Sequence, residues 1–403
     1  MAVRVVTSFV DPSLPGLFLE FGLLLVGLGI IARLAQRFGF SAVPFYLLAG
    51  LLMGEGGFYG IDPRGILVPT LAELGVVLLL LLLGLEYSGT QLVETARRQS
   101  RSGLIDLMLN ATPGVAMALI LGWGIPGALA LGGVTYISSS GIVSQVVRDL
   151  RWRRNPETRP VVSILVLEDL VMAPYLPILT VVLTGAGLVS GLISTGLALI
   201  VVAVVILIAV RREGLTQRFI KTSDPVGVLL VVFGAAVAAA GLAGLVSFSP
   251  AVAAFLVGLL LTGEVAEVAR RRLDPLRELL AAVFFAYFGL STNPSDLPAV
   301  ILPALLLAII TIATKFVTGW YASNTVDGGT ISKLRAGALL SARGEFSVVI
   351  AGIAAVSTIL PGEFQAFVAA YVLITAGIAP ILARYAEPVG WWWDQRPLAK
   401  NDG

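Results

Sequence analysis

The chain is a series of long apolar runs separated by short polar stretches that are mostly basic. Thirteen runs fall near residues 15–35, 40–55, 66–88, 104–124, 126–147, 160–183, 189–210, 225–246, 249–263, 278–292, 297–322, 332–357 and 363–386. Most approach the roughly 20 residues that a helix needs to cross a bilayer. Runs two, nine and ten are short, as expected for tilted or partly interfacial helices. With alternate connections on opposite sides, all but four of the 27 Lys and Arg residues fall on one side. The exceptions are Arg4 and Arg64 on the other side, and Lys315 and Arg343 inside runs. The positive-inside rule then puts the N-terminus outside and the C-terminus inside, in a multi-pass protein of the cytoplasmic membrane.

The thirteen runs divide as six, one and six. Run seven carries no ionisable residue in its interior and reads as a linker. An odd connector sets the two groups of six in opposite orientations, the layout of inverted repeats. Run five contains Gly132-Gly133-Val134-Thr135-Tyr136-Ile137-Ser138-Ser139-Ser140-Gly141, and run twelve contains Ser341-Ala342-Arg343-Gly344-Glu345-Phe346-Ser347. Each is the fifth of its group, and each has Ser and Gly near its centre. Such residues allow an unwound stretch, although close packing through small residues also uses them. As a pair they predict two broken helices whose half-helix ends, with their partial charges, meet at the midplane.

Ionisable residues inside the runs are the candidate chemistry. A charge at bilayer centre costs about 2.5–3.5 kcal/mol on insertion scales, and run six holds two adjacent ones, Glu168 and Asp169. Asp169 lies roughly 14 Å in from the basic end at 1.5 Å per residue. Glu168 points about 100° away around the helix, so only one of the pair faces a given site. A carboxylate is an oxygen ligand for a cation and is neutralised by a proton instead. Mutually exclusive occupancy is a basis for exchange. Lys315 in run eleven needs a carboxylate partner, with Asp169 or Glu168 the obvious candidates; snorkelling to the interface is the alternative. Arg343 is expected to pair with Glu345 or with a carboxylate of run six, both residues acting electrostatically rather than as cation ligands. Glu73, well inside run three, either lines a cavity or bonds a neighbouring helix. Glu86 and Asp106 are expected near the cytoplasmic mouth, as solvated helix ends or as attractors of cations.

Composition narrows the field. The chain has 403 residues, 57% hydrophobic and 13% charged, with a mean hydropathy of +0.94. With no Cys and no His, disulfides, thiolate or imidazole metal sites and histidine pH sensing are excluded. No phosphate-binding loop, serine nucleophile elbow or dinucleotide fingerprint is present, so no cofactor or ATP coupling is expected. The basic loops need no nucleic-acid partner, because topology accounts for them.

Taken in order, Glu73-Leu74-Gly75-Val76 through Gly84-Leu85-Glu86, Glu168-Asp169, Phe255-Leu256-Val257-Gly258, Phe284-Phe285-Ala286-Tyr287-Phe288-Gly289 and Arg343-Gly344-Glu345-Phe346 resemble the monovalent cation:proton antiporter-2 family. That family includes Kef-type potassium/proton antiporters and relatives of bacterial sodium/proton antiporters. The resemblance implies an all-α fold of about 13 helices with crossed broken helices, residues 1–388 forming the transmembrane domain and 389–403 a short cytoplasmic tail. It implies a core from about 104–183 and 297–386, a dimer domain from about 15–88 and 225–292, and the linker helix at 189–210. Asp169 matches the family's ion-binding carboxylate, which would hold a monovalent cation or a proton. Lys315 matches a lysine that pairs with the first carboxylate of the motif. The Glu-Asp pair departs from the Asp-Asp and Gln-Asp versions, so neither ion choice nor stoichiometry carries over. Kef-type members end in a nucleotide-binding regulatory domain, whereas this chain ends soon after its last run; regulation is then expected from a separate subunit, or to be absent or lost with a missing domain.

The expected function is antiport of K+ (or Na+) against H+ by a homodimer. Asp169 carries the ion, Glu168 and Lys315 tune it, and Ser138, Ser139, Ser140, Gly141 and Gly344 form the broken stretches, with Ser138 and Ser139 completing coordination. A proton-uncoupled cation channel on the same scaffold is the main alternative. An organic-anion carrier fits poorly with a site centred on two carboxylates. A membrane enzyme would need a nucleophile–base constellation that is absent.

Overall fold

A computed structural model of the chain describes residues 14–54, 66–86, 89–183, 224–245, 250–326, 329–355, 357 and 359–394, with scattered positions between 196 and 211. Most of the expected linker helix, with Arg4, Arg64 and the end of the tail, lies outside the described residues. Among those residues every regular element is a helix. In chain order they are α1 (Leu14–Arg37), α2 (Val43–Met53), α3 (Leu67–Glu86), α4 (Gly89–Ile120), α5 (Gly124–Tyr136), α6 (Ser140–Asp149), α7 (Thr158–Leu183), α8 (Pro225–Leu245), α9 (Pro250–Leu260), α10 (Gly263–Leu290), α11 (Leu297–Ala322), α12 (Gly329–Leu340), α13 (Glu345–Ala355) and α14 (Glu363–Asp394).

Among the described residues, eight helical stretches are long and apolar enough to cross a membrane, or nine when α7 is taken as one bent span. The bend of 42° in α7 falls between Met172 and Pro174, where a proline ring removes one backbone hydrogen bond and crowds the carbonyl four residues back. The short runs two and nine are short helices of 11 residues each, α2 and α9. Helices α4 and α10 begin well before the apolar runs that mark them, because their N-terminal halves are polar and charged.

The helices pack as two groups. In one, α3 lies against α9 and α10, α2 against α10, and α8 against α9 and α10. In the other, α4 packs on α5, α7 and α11, and α14 packs on α11, α12 and α13. Between the groups the contacts are thin and come mainly from α14 with α2, α7 with α9, and α10 with α13.

The first group is held by backbone-to-backbone crossings at glycine. A Cβ on Gly84 of α3 would meet the Phe255 carbonyl oxygen of α9 at 2.2 Å, and one on Gly258 would meet the Leu81 oxygen at 2.3 Å. Across α2 and α10, a Cβ on Gly50 would meet the Ala286 oxygen at 2.0 Å, and one on Gly289 the Leu47 oxygen at 2.1 Å. Small residues at such crossings supply the van der Waals contact that drives association in lipid, where no hydrophobic effect acts between helices. The crossings pair the second helix of one half with the third of the other in both directions, in keeping with the internal symmetry expected from the six-one-six division.

Gly84→Leu is expected to destabilise the protein by about 1–3 kcal/mol through overpacking. A lowered thermal midpoint in detergent checks it. Gly27→Leu on α1, where nothing lies within 4 Å, should leave the midpoint unchanged.

Candidate functional site: charges where two broken helices cross

Both predicted breaks are present. α5 ends at Tyr136 and α6 starts at Ser140, while α12 ends at Leu340 and α13 starts at Glu345. The two extended stretches, 137–139 and 341–344, cross and bond to each other: the Ser139 amide donates to the Ala342 carbonyl at 2.9 Å. The Ser138 hydroxyl donates to the Leu340 carbonyl at 3.0 Å. The approach is close enough that a Cβ on Gly344 would meet the Ser139 hydroxyl at 2.4 Å. Backbone groups at this depth have no water to bond, so these cross-bonds replace the missing helical ones.

A break leaves carbonyls at the C-terminal ends of α5 and α12 and amides at the N-terminal starts of α6 and α13, equivalent to partial negative and positive charges. Arg343 is fully buried. Its Nε donates to the Thr135 carbonyl at 3.1 Å and its Nη1 to the Leu340 carbonyl at 2.9 Å. Its partners are therefore the carbonyl ends of the two half-helices, not the carboxylate expected from the sequence. The carbonyls of two helix C-termini that meet at one point draw the guanidinium. Glu345 does the converse for the amides. It accepts from the Ser139 hydroxyl at 2.6 Å, the Ser140 hydroxyl at 2.9 Å and the Gly141 amide at 3.2 Å, and so places a carboxylate at the start of α6 while itself opening α13.

Glu168 and Asp169 diverge around α7 as their spacing requires. Glu168 faces inward and is fully buried. Its Oε2 accepts from the Ser138 amide at 2.5 Å; its Oε1 accepts from the Ser138 hydroxyl at 2.9 Å and from Lys315 Nζ at 2.6 Å. Lys315 is fully buried as well, and of its two expected partners it takes Glu168. Its second partner is Asp106 of α4, whose Oδ1 lies 2.8 Å from Nζ. The Tyr136 ring centroid is 5.7 Å from the same nitrogen. Two carboxylates on one ammonium offset much of the cost of burying each, which neither would bear alone.

Asp106 is not the solvated helix end expected: it is fully buried. It also accepts from Asn110 Nδ2 at 2.8 Å. Asn110 in turn donates to Thr318 at 3.1 Å and accepts from the Thr314 hydroxyl at 2.8 Å. The available signal is spacing: Asp106 and Asn110 lie four apart, and Thr311, Thr314, Lys315 and Thr318 recur at three- and four-residue intervals, one polar face on each of two apolar helices. Glu86 sits at the end of α3, partly exposed, with Arg270 at 2.7 Å. Glu73 is exposed on α3 and takes no part in the buried cluster.

Asp169 turns toward the seam between the two helix groups. It is 2% exposed and lines a small cavity with Leu80, Leu83, Met172, Leu176, Val252 and Phe255. Leu80 and Leu83 also line a neighbouring cleft whose wall includes Glu86, Ser140, Arg277 and Glu345. Ser138 and Ser139 are not in either lining; their hydroxyls go to Glu168, Glu345 and the α6 cap, where Ser139 accepts from the Ile142 amide at 3.2 Å. No group of three or more acidic side chains placed to hold a metal ion occurs among the described residues.

A buried carboxylate at the seam of two helix groups, beside broken helices whose ends are charge-compensated, defines an ion-translocating membrane protein of the exchanger type. Residues 22–384 match the model of the transmembrane sodium/hydrogen exchanger family; the chain belongs to that family and is a cation/proton antiporter, not an enzyme. It is 29% identical over 387 residues to the K(+)/H(+) antiporter subunit KhtU of Bacillus subtilis, covering 93% of this chain and 94% of the relative. It is 31% identical over 400 residues to the ammonium/H(+) antiporter subunit AmhT of Alkalihalophilus pseudofirmus, with the same coverage. In fold it is similar to the sodium proton antiporter MjNhaP1 of Methanocaldococcus jannaschii, with a TM-score of 0.65 at 20% identity over 92% of this chain and 97% of that one.

Lys315→Met strands two buried carboxylates on α4 and α7 and should cost about 3–5 kcal/mol, read as a lowered thermal midpoint in detergent. Adding Asp106→Asn and Glu168→Gln to it should restore most of the loss.

Proposed function

We propose that this chain exchanges K+, or Na+, for H+ across the cytoplasmic membrane by alternating access, with Asp169 as the carboxylate that holds cation and proton in turn. The observation that carries this reading is the placement of Asp169. It is the carboxylate of the pair that faces the seam, at the inner end of a lining that Leu80 and Leu83 continue into the cleft. Glu168 faces away and is tied to Lys315 and Ser138. One carboxylate thus meets the ion path while the other holds the crossing.

The wall opposite Asp169 is apolar on the α3 and α9 side. A cation bound there leaves when the carboxylate itself moves along the seam. The helices of about 104–183 and 297–386 would make this movement as a core, against a dimer domain of about 15–88 and 225–292, to which they are joined by thin contacts. Lys315 balances Glu168 and Asp106 and lets the core carry its charges as one block; Arg343 and Glu345 do the same for the half-helix ends.

Potassium is favoured within a Kef-type reading, since one relative is named for K+; another is named for ammonium, which has a similar ionic size. The word subunit in both names fits a separate cytoplasmic regulator. A homodimer with its N-terminus outside fits the basic residues that line one side of the sequence.

In everted vesicles loaded with a pH dye, K+ should dissipate a respiration-driven proton gradient, and Asp169→Asn should abolish the response. Full exchange in that variant overturns the assignment. Running K+, Na+ and NH4+ in parallel, with membrane potential clamped at zero or imposed, gives ion choice and net charge moved.

A further inference from the structure

The corner between α1 and α2 is bound from the opposite helix group by two side chains. α1 ends in a double turn in which the Gly39 amide donates to the Gln36 carbonyl at 3.0 Å and the Phe40 amide to the Ala35 carbonyl at 2.9 Å. Gly39 adopts φ +69° there, the left-handed conformation that closes helices in this way. The turn consumes amides and leaves the carbonyls of Phe38, Gly39 and Phe40 pointing outward at the partially negative end of α1.

All three are taken by the other group. Arg384 of α14 donates through Nη2 to the Phe38 and Gly39 carbonyls, both at 3.1 Å, and its guanidinium lies 5.7 Å from the Phe40 ring centroid. Gln145 of α6 donates to the Phe40 carbonyl at 3.0 Å. A Cβ at position 39 would stand 2.1 Å from Arg384 Nη2, so a side chain there would push the guanidinium off the two carbonyls. At the other end of α14 the comparable bond is one contact, Gln365 Nε2 to the Phe288 carbonyl, at 3.4 Å. Among the bonds seen between the described residues of the two groups, this corner carries three and the far end of α14 one.

We infer that Arg384 and Gln145 form a catch on the α1–α2 corner that holds the protein in the conformation with the cleft open at Glu86, Arg277 and Glu345. Any sliding of α6 and α14 past α1 and α2 must break these three bonds. A guanidinium on carbonyls at a helix C-terminus is a charge-assisted contact, stronger than a neutral one. It is also exposed, so water competes for it and it can be released and remade. Arg384 and Gln145 are positioning residues in this scheme, remote from Asp169 and touching no ion.

The proposal rests on the alternating-access reading, and its test reads conformation without ion flux, so the two fail separately. The chain has no cysteine, which allows one reporter thiol with no background. Val349→Cys on α13 lines the cleft. Its labelling by a water-soluble maleimide in everted vesicles should slow by about fivefold when Arg384→Ala and Gln145→Ala are added, the factor given by about 1 kcal/mol. Arg384→Lys, which keeps the charge and loses the planar fork, should give an intermediate rate. Should the double variant fail to fold, Gln145→Ala alone should slow labelling by a smaller factor. Unchanged labelling in the folded variants overturns the catch, even where K+ exchange is normal.

Discussion

Breaking a helix inside a membrane exposes backbone groups where no solvent can bond them, and the charge balance of that break organises the rest of this molecule. Two breaks cross here, so their four half-helix ends lie together. Arg343 gathers the carbonyl ends and Glu345 the amide ends. Around them stands a second tier of charge in which Lys315 serves Asp106 and Glu168 together. Every ionised group in this tier is tied to a partner on a different helix, so the tier also acts as a set of struts between α4, α7, α11 and the breaks. Glu157 adds another strut nearer the basic end: it accepts from Ser332 at 2.8 Å and fixes the α6–α7 connection on α12.

The two helix groups are built on different principles. One is held by polar bonds between buried side chains, with hydroxyls and amides on apolar helices finding one another at the crossing. The other, apart from the Arg270–Glu86 pair at its edge, shows no such buried network among the described residues and depends on glycine contacts between bare backbones. Hydrogen bonds and charges give the first group a specific arrangement around a site; the second is a smooth, stiff surface. Under the proposed exchange, the face that carries the chemistry would slide over one that offers few polar groups to catch on it.

Much of this was legible in the sequence because the bilayer constrains so strongly. Apolar runs marked the helices, Ser and Gly in two matched runs marked the breaks, and the angular offset between Glu168 and Asp169 separated their directions. Partnerships were less legible. Arg343 was expected to seek a carboxylate, because a sequence shows side-chain charges and hides the partial charges that appear only when two helix ends are brought together. Asp106 reads as the solvated end of an apolar run, and its burial depends on Lys315, a partner on another helix that the run itself does not show. Glu73, a charge in an apolar run, was expected inside and lies on an exposed face; hydropathy gives depth and says nothing of which way a helix is rotated.

The glycine crossings of α3 with α9 carry a consequence for how such a protein diverges. Leu80, Leu83, Val252 and Phe255 approach Asp169 from helices whose separation is fixed by the radii of backbone atoms, with no side chain between them to trim or enlarge. Substitution can resurface that wall but cannot move it. If Asp169 holds the ion as proposed, a change of ion leaves that wall where it is, and the adjustment falls to the α7 side of the cavity.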